Sequence, residues 1–167
     1  MRGLAFLAIL GAFILLPLPL TQASGQTEPS PEMQALDFLV GEWAYVNSQG
    51  ESMGTDVCEW LGTGFVQCMA SGTNAAGNTI KLLSVFGYDA AMERYTWVRY
   101  WSTGLIDDHI GWLDEDILRW VQRDSAGGRY RVTMNIESPT AMSFQWEQSV
   151  RGGDWQPGVA GRATKVR

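Results

Sequence analysis

One histidine, two cysteines and only 12 Lys and Arg against 18 Asp and Glu are thin material for chemistry in a chain of 167 residues. Each scarcity excludes something. A single imidazole and two thiols fall short of the four ligands of a closed structural zinc site. A formal charge of −6, with the basic residues scattered between acids, disfavours nucleic acid or an anionic membrane surface as a partner. No glycine-rich loop runs into a helix, so nothing cradles phosphate, and the acidic triplet Asp114-Glu115-Asp116 is too short for a calcium loop. No cofactor is expected. Nothing in the pattern fixes an oligomeric state.

Long apolar runs are also scarce, and the exception is at the N-terminus. Met1-Arg2, the apolar run 4–16, and then Pro17 and Pro19 have the order of a secretory signal, with small residues for cleavage after Ala23 or Gly25. The alternative, a retained anchor, meets a run shorter than the roughly 20 residues a spanning helix needs. The expected organisation is a cleaved signal over 1–23, a polar, Pro-containing tether over 24–30 and one domain over 31–167. The product is then exported, periplasmic or secreted, with no membrane span after processing.

What is abundant is glycine and large aromatics: 19 Gly, 8 Trp, 6 Phe and 5 Tyr. With few helix-favouring runs, this composition reads as all-β with tight turns. The stretch 35–45 organises the chain. Ser30 can cap and Pro31 suits the first helical position; Met33, Leu36, Leu39 and Val40 then recur at helical spacing until Gly41, which predicts a short plug helix over 31–40. Gly41-Glu42-Trp43 turns this apolar face into alternating strand residues. Turn clusters follow at 47–50, 62–64, 74–78, 89–93, 103–104, 114–116, 125–128, 138–140 and 151–154, dividing the rest into about ten strands. With no long crossover among them, an up-and-down antiparallel barrel is the simplest closure, and it leaves no sheet edge.

Cross-strand partners on one face should share character. A hairpin turning over 90–93 pairs Asp89 with Arg94, Tyr88 with Tyr95, Phe86 with Trp97, Ser84 with Arg99 and Leu82 with Trp101. A three-residue loop over 138–140 sets Ile136 against Met142, Met134 against Phe144 and Val132 against Trp146, and Leu118 and Trp120 join the same rows. The opposite faces carry Arg131, Glu137 and Glu147, which a one-residue slip would bury. Register is less determined over 80–88, where Leu83 and Val85 make both faces apolar. Cys58 and Cys68 flank the turn 62–64, and a hairpin closed by Leu61 and Phe65 sets them opposite one another, so a disulfide contributing about 2–3 kcal/mol is expected.

Taken in order, Leu39-Val40-Gly41-Glu42-Trp43, Cys58-Glu59-Trp60-Leu61, Val66-Gln67-Cys68, Gly87-Tyr88-Asp89 with Tyr95, and Ser138-Pro139 through Phe144-Gln145-Trp146-Glu147 resemble an uncharacterised family of exported bacterial lipocalin-like proteins, a domain of unknown function. The resemblance spans most of 33–167 and implies a calycin-like barrel; it brings no established activity. It also implies that Gly41 and Trp43 close one barrel end with a basic residue of the last strand over the indole, for which Arg162, Lys165 and Arg167 are the candidates. Nitrobindin-type haem barrels share this opening but use a histidine that finds no convincing counterpart here.

The functional expectations concentrate on the aromatic face. Phe86, Tyr88, Tyr95, Trp97 and Trp101, with Trp120 and Trp146 from neighbouring rows, would line an apolar lumen holding Arg99 as its one cation. That lumen suits a hydrophobic or amphipathic molecule, its carboxylate on Arg99. Against this stands a barrel filled by its own rings, with Arg99 paired to a barrel carboxylate or turned outward, as in an envelope structural module. An isomerase or hydrolase would rest on His109 as general base, oriented by Asp107 on the same strand face; the plainer expectation is a solvated surface histidine near a strand end. A ligand would enter opposite Trp43, toward Trp97, Arg99 and Trp101.

Overall fold

The computed structural model describes residues 28–73, 77–123, 129–150 and 152–167. The expected signal segment and most of the tether lie outside the described residues. Ser30 accepts a hydrogen bond from the Met33 amide at 3.3 Å and Pro31 occupies the first turn, which starts α1 (Pro31–Gln34). The helix is shorter than its apolar spacing predicts. Leu36 leaves helical geometry, a single 3-10 turn (Asp37–Leu39) follows, and Val40 is extended. Strand side chains bind the plug in its place: Trp43 Nε1 donates to the Leu39 carbonyl at 2.7 Å and Trp60 Nε1 to the Asp37 carboxylate at 3.1 Å. Met33, Leu36 and Leu39 are buried all the same, because both kinds of turn point them into the barrel.

Ten strands follow: β1 (Gly41–Asn47), β2 (Ser52–Leu61), β3 (Phe65–Thr73), β4 (Thr79–Asp89), β5 (Arg94–Trp101), β6 (Ile106–Asp114), β7 (Ile117–Gln122), β8 (Arg129–Ser138), β9 (Ala141–Ser149) and β10 (Gln156–Lys165). Each pairs antiparallel with the next, and β10 returns to β1, closing the barrel. The aromatic hairpin has the register its sequence predicts, with Phe86 opposite Trp97 and Ser84 opposite Arg99. On β4 it is Leu82, Ser84 and Phe86 that face inward, and Leu83 and Val85 lie half-buried outside. The loop over 138–140 tightens to Pro139-Thr140, since a bulge after Ile136 lets Ser138 pair with Ala141 while Ile136 stays opposite Met142. Cys58 and Cys68 are bonded directly across β2 and β3, their Cα atoms 4.0 Å apart.

The seam between β1 and β10 explains the Gly-x-Trp motif. Gly41 has φ +132°, and a Cβ there would stand 2.6 Å from the Arg167 carbonyl and 3.0 Å from the Lys165 side chain. With no Cβ in the way, Lys165 lies across the barrel end, its Nζ 5.0 Å from the Trp43 ring centroid. Arg162 instead pairs outward with Glu137, and Arg167 is exposed with its Nε 3.9 Å from Glu42. Above this seal the barrel is solid. Trp120 and Leu118 are fully buried at its axis, and a Cβ on Gly111 would meet the Trp120 ring at 2.5 Å, so the glycine is what admits the indole.

Candidate functional site: a cavity at the open end of the barrel

Toward the other end the inward side chains of β2 and β3 become small. Gly54, Ala70 and Gly72 face the large rings of β5 and β9, and the space they leave is a cavity of about 690 Å³. Its floor includes Leu39, Phe86 and Trp97, above the packed end. Its rim includes Met53, Leu105 and Val159, which are 37%, 57% and 49% exposed, so the cavity opens to solvent at the end opposite Trp43. Met134, Met142, Phe144 and Trp146 complete an apolar wall.

Two polar groupings interrupt that wall. In the first, the guanidinium of Arg99 forks onto Asp107 of the neighbouring strand, Nε to Oδ1 at 2.5 Å and Nη2 to Oδ2 at 3.0 Å, and Trp101 Nε1 donates to the same Oδ2 at 2.8 Å. Both partners are more than nine-tenths buried. Three indoles surround the cation, with Cζ 4.7 Å from the Trp97 ring centroid, 5.1 Å from Trp101 and 4.5 Å from Trp146. Burial pulls the guanidinium below its ordinary pKa, and the Asp107 hydrogen bonds and charge work against that. Of the alternatives the sequence leaves open for Arg99, the structure has the pairing with a barrel carboxylate: Asp107, brought opposite by the β5–β6 register, already neutralises it.

In the second grouping, the Tyr45 hydroxyl donates to Asp56 Oδ2 at 3.0 Å. Burial raises the Asp56 carboxyl above its usual range, with the Tyr45 bond opposing, and burial beside Asp56 pushes the Tyr45 phenol well up. Neither residue stands out in the sequence, yet alternation carries the signal. Tyr45 is two residues beyond the inward Trp43, and Asp56 two before the inward Cys58. Ser84 stands opposite Arg99 as its hairpin predicts, whereas Gln122, opposite His109, has no signal beyond alternation.

His109 is not a surface residue. β6 begins at Ile106, so His109 lies well inside a strand and shares the inward face with Asp107; it has no exposed surface. The ring packs against Trp97 (centroids 5.1 Å apart) and edge-on to Trp146 (6.4 Å). Asp107 Oδ1 is 3.6 Å from Nδ1, too long for a hydrogen bond, and neither ring nitrogen has a well-formed partner among the described residues. Burial, with help from the Arg99 charge, lowers its pKa to about 4 against the pull of Asp107 and the Trp97 backbone, so the ring is neutral at pH 7. Because His109 does not border the cavity, it meets no molecule held there. For the same reason the cavity does not fit a histidine-ligated haem. Asp108 points outward toward Arg123, 3.6 Å away.

Of the residues expected to line a lumen, Phe86, Trp97, Arg99, Trp101 and Trp146 do so. Tyr88, Tyr95 and Trp120 do not. They belong to the packed end, where Tyr95 donates to the Glu32 carbonyl of the plug at 3.1 Å and meets Tyr88 edge-on with centroids 5.2 Å apart. The sequence puts all of these residues on one face but gives no depth along the barrel axis.

No protein-family model matches the chain, and no curated protein matches it. Among solved structures it is similar to the crystal structure of Rv2717c from M. tuberculosis, at 14% identity and a TM-score of 0.59, with the match covering 84% of this chain and 100% of that one. At that identity the likeness carries the fold alone, a ten-strand antiparallel barrel.

Proposed function

We propose that this protein is an exported binding protein of lipocalin-like design that holds a small hydrophobic or amphipathic molecule, non-covalently, in the open end of its barrel. The observation that carries this reading is the cavity: about 690 Å³, walled by aromatic and aliphatic side chains and open at one end. Pockets that take small organic molecules fall in the range of roughly 300–1,000 Å³ with this mixture of apolar wall and a few fixed polar groups. Export is compatible with the Cys58–Cys68 disulfide, and among the described residues no helix is long and apolar enough to cross a membrane.

The test is to fill the cavity. Ala70 lies on its wall, so Ala70→Trp should abolish binding of an uncharged lipophilic fluorophore such as a neutral pyrene, while native mass spectrometry and the melting curve show a folded protein. Binding of the dye to the variant with unchanged affinity, or no lipophilic probe bound by the wild type, would refute the proposal.

A further inference from the structure

Resting on the reading that the cavity holds a ligand, we infer that the preferred ligand is an amphipathic cation, an apolar body with an ammonium or similar donor group, and that Asp56 is the residue that receives it. Among the described side chains that line the cavity there are two carboxylates, Asp56 and Asp107, and one guanidinium, Arg99. Arg99 and Asp107 cancel in a bidentate pair within an indole cage. That leaves Asp56 as the carboxyl group with no cationic partner among the described cavity residues. Its described hydrogen-bond partner is the neutral Tyr45 phenol on Oδ2, and no basic side chain of the cavity wall is paired with it.

An organic acid entering this space would bring a second negative charge beside Asp56. Arg99 offers that acid little net charge, because its Nε and Nη2 and the Trp101 indole already converge on the Asp107 carboxylate. An ammonium gains on both counts: it meets a carboxylate inside a low-dielectric cavity, and its alkyl or aryl body lies against Phe86, Met142 and Phe144. The surrounding protein works in the same direction, since a net charge of −6 draws cations toward its openings.

The experiment compares three probes with one chain and three head groups, dodecylamine, dodecanol and dodecanoate, each below its micellar concentration at pH 8 and physiological salt. Binding is read by displacement of a neutral pyrene probe and by native mass spectrometry. At this pH the alkylammonium, like a lysine side chain with pKa about 10.4, stays charged. The amine should bind at least about tenfold tighter than the acid, with the alcohol between them, a ratio corresponding to one decade in Kd. Asp56→Asn should bring the amine down to the alcohol while leaving the alcohol unchanged; Tyr45→Phe, which keeps the carboxylate, should keep the amine preference and guards against a misfolded Asn variant. Alcohol and amine bound equally by the wild type would overturn this inference and leave the ligand-binding reading standing. Acid bound as tightly as amine would do the same. Failure of all three to displace a bound pyrene would overturn this inference alone, and failure of the pyrene to bind as well would overturn both.

Discussion

The two ends of this barrel are built from the same ten strands with the same alternation, and they have opposite interiors. At the plug end, Trp43, Leu118 and Trp120 fill the axis and are at most 1% exposed. At the mouth, Gly54, Ala70 and Gly72 hold back from it and a cavity remains. Closure of the sheet fixes how wide the barrel is; the size of the inward residue at each level decides whether that width is packed or empty. Removing apolar volume should therefore cost most at the plug end, and adding it should be tolerated only at the mouth.

The largest contrast comes from a pair of opposite changes. Trp120→Ala, which empties the packed axis, should cost about 3–5 kcal/mol in denaturant unfolding. Ala70→Leu, which adds atoms to the cavity wall, should stay within about 1 kcal/mol of wild type because no neighbour must move. A penalty at Ala70 comparable to overpacking would mean that the mouth is as full as the floor. Between the two ends lies the Arg99–Asp107 pair, which should behave as a buried ion pair. Asp107→Ala, leaving the guanidinium uncompensated, should lose about 3–5 kcal/mol, and the double change Arg99→Met with Asp107→Leu should recover most of that. If the single change is tolerated, water from the cavity reaches Arg99 well enough to replace its partner.

Acid titration sharpens the comparison from below the cavity floor. His109 has a folded pKa lowered to about 4 from an ordinary 6.5, so the unfolded chain binds the extra proton first and stability falls as pH drops from about 6.5 toward 4. The loss attributable to this group is on the order of 3 kcal/mol. His109→Phe, which removes two ring nitrogens without a well-formed partner among the described residues, should flatten that limb of the pH profile without a penalty at pH 7. An unaltered acid limb in the variant would assign the pH sensitivity to other groups.

Much of the fold was legible in the sequence because alternation and turn spacing are local. The pairs Phe86–Trp97 and Val132–Trp146 and the Cys58–Cys68 bridge all follow from hairpins whose loops are short. The plug was legible as apolar spacing but not as a length, since what holds its end is contact with strand side chains, Trp43 just beyond it and Trp60 on the next strand. For the site, the sequence identifies which face a residue is on and is silent about its level. That is why Trp97 and Trp120 look alike in sequence while one borders the cavity and the other plugs the axis. Asp107 was read as a partner for His109, whereas the β5–β6 register gives it to Arg99, a competition decided by a full charge against a neutral ring.

The strand order has a further consequence, for how the molecule comes to have an interior at all. Every pairing but one joins strands consecutive in the chain, and the exception is the seam between β1 and β10. Up to that seam the chain can assemble as a ribbon of hairpins at low entropic cost, each contact close in sequence. A ribbon has two faces and both are wet. Only when Trp43 and Lys165 come together does one face become an inside, so the dryness around Arg99 and the enclosure of the cavity should arrive together, late, and in a single step.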